Sequence, residues 1–411
     1  MQPLQKLAGL FLTLFCAASL TAQDYRVLLD EEGQIPVLDY IGSNWNSYEV
    51  ARYPDALITF PSAVLTHSEP GEILAVYLKT DSLRSVEMTR SKDGGRTWTK
   101  EAIRNNWEHE SLSSLSLFNA GKPVISTGRR KSLQNINSLM MFSGGNTIAV
   151  SSSYTNGEHW SNFYPVNNFG GFRVSSVITL NDGSLMALFH DDGRFLYPED
   201  NRFDLRKSVI YKIRSVDGGL TWSAPQIALK HNLYGLYDAT VFYSPAKRDN
   251  DLIMIVSERE TSKAYISYSH DEGNNWTYPA ELTSSLQGDR FSVGTHKEEL
   301  FIAFRDMSQT LESGLPNPTF GDLVLWTGDL KELTRGHRNG IKVRLADNYP
   351  VADDPDPTDR KFYDCGYISV LPLNKNEIAV VAAGRWETQE VPYLKTFVFD
   401  PAELRQAAKR R

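Results

Sequence analysis

Two kinds of segment in this chain hold side chains suited to chemistry. The run Phe189-His190-Asp191-Asp192-Gly193-Arg194-Phe195 is the densest titratable cluster in the sequence. Neighbouring carboxylates raise one another's pKa, which is how an acid stays protonated near neutral pH. On that logic Asp191 or Asp192 is a general acid, or His190 an acid/base, with Arg194 beside them to meet an anionic substrate. The same residues also spell a tight Asp-Asp-Gly turn with a capping histidine. Arginines form the second kind. Arg259 in Ser257-Glu258-Arg259-Glu260 and Arg305 in Phe304-Arg305-Asp306 each close an apolar run, while Arg290 (Gly288-Asp289-Arg290) and Arg173 (Gly171-Phe172-Arg173) follow glycine turns. A guanidinium fork pairs a carboxylate with two parallel hydrogen bonds, whether that carboxylate belongs to a substrate or to a neighbouring acid. No second histidine stands at ligand spacing from His190, so no metal site is expected.

Groups this far apart act together only on a scaffold that brings strand ends to one place. Variants of Ser-x-Asp-x-Gly-x-x-Trp begin at Ser91, Ser153, Ser215 and Ser269, with Thr155 replacing the aspartate in the second. They recur every ~55–60 residues, a period that marks a propeller, solenoid or other array. The Asp and Gly residues suit a tight turn, and the Trp suits an apolar plug between neighbouring sheets. Between the turns lie short apolar strands such as 72–78, 184–189, 252–256, 300–304 and 377–382, bounded by Gly, Asn, Asp and Pro. Each blade reads as an inner strand, often ending in a charged residue, followed by a strand that enters the turn. Inner-strand ends would then gather His190, Arg259 and Arg305 around one central channel. Helical periodicity is confined to 401–409. The stretch 346–360 reads as a solvated acidic loop, with a calcium site as its weaker alternative, and the arginines of 128–130 and 52–55 read as solvated too.

The repeated phrase is the Asp box, and with it the chain resembles the sialidase-like β-propellers, in a divergent bacterial branch. The likeness implies an all-β, six-bladed propeller over residues 23–411 and an exo-acting glycoside hydrolase of the exo-α-sialidase type. Its substrate would be a glycan ending in an acidic, sialic-acid-like sugar, and it would need no cofactor. By the same likeness Arg259 and Arg305, with Arg290 or Arg173, grip the substrate carboxylate. Asp238, in Tyr237-Asp238-Ala239-Thr240, stands where the family places a base, usually Glu. Tyr367, in Tyr363-Asp364-Cys365-Gly366-Tyr367, stands where the family has its nucleophile, with Asp364 as a further substrate contact. Sialidases are the tyrosine exception among glycosidases, since a neutral phenol is not repelled by the substrate carboxylate. Read without the likeness, Tyr367 is equally a core tyrosine bonded to a neighbouring blade. The family's first arginine belongs to an Arg-Ile-Pro phrase, whereas this chain has Thr59-Phe60-Pro61, and 81–87 lacks an obvious counterpart of the family's acid aspartate. Arg173-Val174-Ser175 looks like that phrase but lies in the third blade. Two other functions remain open: a polysaccharide lyase on uronate glycans, using Tyr or His as base, and a glycan-binding propeller without catalysis.

Residues 1–22 read as a secretory signal peptide, with Lys6 before an apolar run and Thr21-Ala22 at the cleavage site, which makes the protein secreted or periplasmic. The apolar run is too short to span a membrane. Removing this segment also removes Cys16, so Cys365 is left alone and no intrachain disulfide supports the core. A net charge of −7 shows no basic excess and disfavours nucleic acid as a partner.

Overall fold

The computed structural model describes residues 26–409 except 30–36, 40–45, 82–83, 102–106, 108–111, 123, 128–129, 134–136, 197–206, 247–249, 283–285, 312–313, 336–339, 350–365 and 388–390. Residues 1–22, expected to be a signal peptide, Asp364 and most of the acidic loop lie outside these. Six antiparallel sheets form a six-bladed β-propeller. The innermost strands of blades 1 to 6 are Leu57–Leu65, Ser116–Gly121, Val174–Thr179, Leu236–Tyr243, Gly288–His296 and Gly366–Pro372. Blade 6 takes its outer strand, Ser47–Ala51, from the N-terminal side of blade 1, so distant parts of the chain close the ring. Blade 5 is widened by Val37–Asp39, parallel to its fourth strand, and by Arg26–Leu29.

The assignment of the apolar runs to the channel is corrected by this topology. Ile73–Thr80, Leu185–Asp191, Leu252–Glu258, Glu299–Asp306 and Ile378–Gly384 are second strands, sandwiched between adjoining blades. Burial on both faces is why they read as continuous apolar runs. The true inner strands border a polar channel and carry Ser and Thr at intervals.

Those hydroxyls connect every blade to the next. Ser62 Oγ donates to the Leu117 carbonyl (3.1 Å), Ser116 Oγ to Val174 (2.6 Å) and Thr240 Oγ1 to Phe291 (2.6 Å). Ser176 Oγ accepts from the Val241 N–H (3.1 Å), Ser292 Oγ from Val370 (3.0 Å) and Ser369 Oγ from Ala63 (2.9 Å). The six clasps form a complete circle. Two residues before four of them, Phe60, Asp238, Arg290 and Tyr367 have φ of 51°, 48°, 59° and 54°. Each coincides with a register shift against the second strand. A bulge of this kind bends the strand and re-aims a side chain.

The Ser-x-Asp-x-Gly-x-x-Trp turns lie at the opposite ends of the sheets. In the first, Ser91 Oγ donates to Asp93 (2.8 Å), Gly95 N–H donates to Ser91 Oγ (2.8 Å), and Trp98 Nε1 donates to the Gly95 carbonyl (2.9 Å). Ser215, Asp217, Gly219 and Trp222 repeat it. Thr155 serves in the second copy by accepting the His159 N–H (2.9 Å). At Gly219, with φ of 92°, a Cβ would lie 2.4 Å from Met140 Cε of the preceding blade, so the turn sets the inter-blade spacing. In blades 5 and 6 helices Leu330–Arg335 and Pro401–Lys409 follow the third strand instead, the second as expected.

Ser369→Ala leaves the buried Ala63 N–H without its acceptor and opens the circle. It should lower stability by about 1–3 kcal/mol, read as an earlier thermal or urea midpoint; an unchanged midpoint would show the clasp to be idle.

Candidate active site

The bulged residues converge on one end of the channel. A cavity of about 200 Å3 there is lined by Arg173, Asp238, Arg290 and Tyr367, with the clasp residues Ser62, Ser176, Thr240, Ser292 and Ser369 beneath them. These four come one each from blades 3, 4, 5 and 6. The Tyr367 ring is the centrepiece. Phe60 stacks on it at 4.7 Å, and the guanidinium carbons of Arg173 and Arg290 lie 4.3 and 4.7 Å from its centroid. A Cβ at residue 366 would lie 1.6 Å from Arg290 Nη1, so only glycine lets this guanidinium cross the start of blade 6. Arg173 is brought in by a bridge in which Gly145 and Gly171 exchange backbone hydrogen bonds of 2.7 and 3.0 Å between blades 2 and 3.

Arg173 is held in tension. Burial lowers its pKa, Asp238 and Tyr367 oppose that, and Arg290 adds to it. Its Nε is a buried donor with no hydrogen-bond partner among the described residues. His190 Nδ1, also buried and unpartnered there, sits 4.0 Å from Asp238 Oδ1 while its ring stacks on Phe172 at 4.9 Å. Burial, reinforced by Arg259 and Arg173, brings the imidazole down to about 4 against the pull of Asp238 and Asp192, so it is neutral at neutral pH. Buried unpartnered polar groups are rare in folded proteins, and two at one mouth suit a polar ligand.

The other sequence candidates divide. Arg259 is exposed at the rim, its guanidinium 5.8 Å from the Tyr237 ring. Arg305 is buried and forks onto Asp289 (2.8 and 2.5 Å), which also accepts the Tyr237 hydroxyl (3.2 Å). Burial pushes Asp289 up, but Arg305 and Arg290 hold it below the ordinary carboxylate range. The geometry therefore gives Arg305 the structural ion pair and leaves its fork facing protein. Asp191 accepts the N–H groups of Gly193, Phe195 and Leu196, organising the turn, and burial raises its pKa despite them. Asp192 is held by Arg194 through Nε and Nη2 (3.1 and 3.0 Å), and Arg194 in turn covers Phe172 at 4.6 Å. This pair backs the wall behind His190 and does not line the cavity.

Sequence reasoning assigned no role to Phe60, Tyr237 and Asp289. A signal for the first was available: Phe60-Pro61-Ser62, Asp238-Ala239-Thr240, Arg290-Phe291-Ser292 and Tyr367-Ile368-Ser369 share a hydroxyl two positions after the mouth residue. Tyr237 and Asp289 are each one residue before a mouth residue, on adjoining blades. Their hydrogen bond ties Asp238 to Arg290.

No family model matches the sequence, and no curated protein sequence matches it. Solved structures do resemble the fold. A protein of unknown function from Dyadobacter fermentans superposes with a TM-score of 0.59 at 14% identity, covering 86% of this chain and 98% of that one. The Penicillium chrysogenum α-L-arabinanase, solved with arabinobiose, gives 0.56 at 14% identity over 87% of this chain and 99% of its own. The Hadza microbial sialidase Hz136 gives 0.53 at 12% identity; 85% of this chain spans 66% of it. At these identities the shared property is the propeller.

The depressed His190 pKa has a measurable consequence. The unfolded imidazole binds its proton near pH 6.5 and the folded one only near pH 4, so between these values the unfolded state holds more protons and stability falls as pH falls. Proton-detected titration should find one imidazole near 4, and His190→Gln should flatten stability against pH across that window. A His190 titrating near 6.5 would refute the buried, cation-flanked placement.

Proposed function

We propose that the protein is an exo-acting glycoside hydrolase that releases a terminal acidic, sialic-acid-like sugar from glycans. The observation that carries this reading is the Tyr367 phenol flanked by the guanidiniums of Arg173 and Arg290, with Asp238 close enough to share Arg173's field. The substrate carboxylate binds the two arginines, and Arg173 takes the place left by Thr59 in blade 1. A cavity of about 200 Å3 is below the 300–1,000 Å3 usual for sites that enclose drug-sized ligands, which suits one terminal sugar.

The Tyr367 oxygen attacks the anomeric carbon, the bond to the leaving oxygen breaks, and Asp238 takes the phenolic proton. Water then attacks the same carbon as its bond to the tyrosine oxygen breaks, and Asp238 returns its proton to that oxygen. The attacking water's spare proton passes to solvent, where it balances the hydroxide left when the leaving oxygen was protonated, and the free sugar departs. The arginines stabilise negative charge that develops on the phenol as its proton leaves. Asp191 and Asp192 are engaged by protein donors and His190 is neutral, so in this reading water protonates the leaving oxygen. Turnover should therefore depend steeply on leaving-group acidity. Export, with residues 1–22 as its signal, places the enzyme where such glycans are met.

The unpartnered, neutral His190 Nδ1 favours a second reading, a lyase in which His190 abstracts a proton beside a uronate carboxylate. An unsaturated, ultraviolet-absorbing product would establish elimination in place of hydrolysis.

On an aryl glycoside of an acidic sugar, Tyr367→Phe should cost kcat about 10³-fold or more. Arg173→Ala should raise KM about 10–100-fold, the loss of a charge-assisted contact, while Thr59→Ala changes neither constant. Retained turnover in Tyr367→Phe would end the nucleophile assignment. Binding of acidic sugars without turnover of any would favour the non-catalytic propeller.

A further inference from the structure

We infer that the rim at the junction of blades 3 and 4 is a binding platform for neutral sugar residues on the leaving-group side of the substrate. This rests on the glycosidase reading for its place in the reaction, though not for its test. The platform is a knot of aromatic rings around His231. Tyr234 stacks on the imidazole at 4.8 Å and 17°, and the rings of Tyr265 and Tyr278 lie 5.3 Å from it. Tyr265 is buried and roots the knot in blade 4, whereas Tyr278 is 58% exposed and Leu233 72% exposed.

The exposure is built in. His231 Nδ1 accepts the backbone N–H groups of both Leu233 and Tyr234 at 3.2 Å, which fixes the loop and holds Leu233 outward. Because Nδ1 is an acceptor, the imidazole is neutral, and burial lowers its pKa in keeping with that. A preformed surface of ring faces with phenol hydroxyls at their edges matches a pyranose, which has apolar C–H faces and a hydroxyl rim. It needs little ordering on binding.

Charge selects the neutral class. The knot itself is made of tyrosines and a neutral imidazole, and Lys263 and Glu281, beside Tyr265, pair with each other at 2.8 Å. Position selects the leaving-group side. Arg259 N–H donates to the Gly235 carbonyl at 3.2 Å, joining this loop to the rim arginine, and the same chain enters the inner strand carrying Asp238. Asp238 lies four positions after Tyr234, a reach of on the order of 13 Å at most, the span of roughly two or three pyranose rings. A glycan whose terminal acidic sugar occupies the cavity would lay its next residues across this rim.

The test uses the full chain, with Tyr278→Ala and Leu233→Ser. Calorimetric titration with a panel of neutral gluco- and galacto-oligosaccharides should show binding that each variant weakens about 5–10-fold, the loss of one aromatic or apolar contact. On an oligosaccharide capped by the acidic sugar, KM should rise by a similar factor at constant kcat, with the aryl glycoside unaffected. Variants that bind the panel like the unaltered protein, or no binding by any member, would overturn the platform. A changed sedimentation mass in the variants would also overturn it, showing the rim to be a contact between copies. If no acidic sugar is released from any substrate, the titration still decides this proposal. Normal aryl-glycoside hydrolysis with no effect on oligosaccharides would refute the platform and leave the hydrolase reading standing.

Discussion

Inner strands of adjoining blades splay around the axis and cannot share a backbone ladder, so each must be tied to the next by something else. Here a hydroxyl does it six times, from Ser62 through Ser116, Ser176, Thr240 and Ser292 to Ser369 and back to Ala63. The circle fixes the radius of the channel, and so the distance across which side chains above it can meet. Among the described residues, four of the eight non-glycine positions with positive φ stand two residues before a clasp. Left-handed backbone costs about 1–3 kcal/mol at each such residue and persists only where the surroundings over-determine it. For Phe60 and Tyr367 it is far from a bulky ring's preference. Clasp and second-strand ladder together supply the constraint, and the result is four side chains aimed at one point.

What they form is electrostatically unfinished. Arg173 and Arg290 share one tyrosine ring and disfavour each other's charge, with Asp238 opposing on one side. Nearby, Arg305, Asp289 and Tyr237 form a buried set that bonds within itself. The contrast separates these guanidiniums better than residue type does. Arg173 Nε and His190 Nδ1 have no hydrogen-bond partner among the described residues, whereas Arg305 and Arg194 are each engaged by a carboxylate. The buried set also has a duty, because it couples blade 4 to blade 5 immediately behind Asp238 and Arg290.

Much of the architecture was legible because its signals are local. A turn in which Ser215, Asp217, Gly219 and Trp222 bond one another is encoded within eight residues, and its recurrence gave the period of a blade. The site was legible in part. Tyr367, Asp238, Arg290, Arg173 and His190 could be singled out by type and order, and they meet. Arg305 and Asp191 looked equally suitable, since nothing in Phe304-Arg305-Asp306 reveals that Asp289 lies opposite across a bulge. The apolar second strands were mistaken for the channel lining because periodicity reports burial and does not report which neighbour does the burying.

By itself the sequence determined the repeat, the all-strand composition, the excess of guanidiniums near strand ends and the absence of arginine at Thr59. Those depend on residues adjacent in the chain, whose chemistry travels with them. The tertiary structure alone decided that Arg173 of blade 3 faces the tyrosine of blade 6, that Phe60 covers it, and that Arg305 is neutralised. Each of these is a contact between blades, set by the radius of the clasped ring and by bulges that turn a side chain toward the axis. A one-residue change of register would send each to the other face of its sheet.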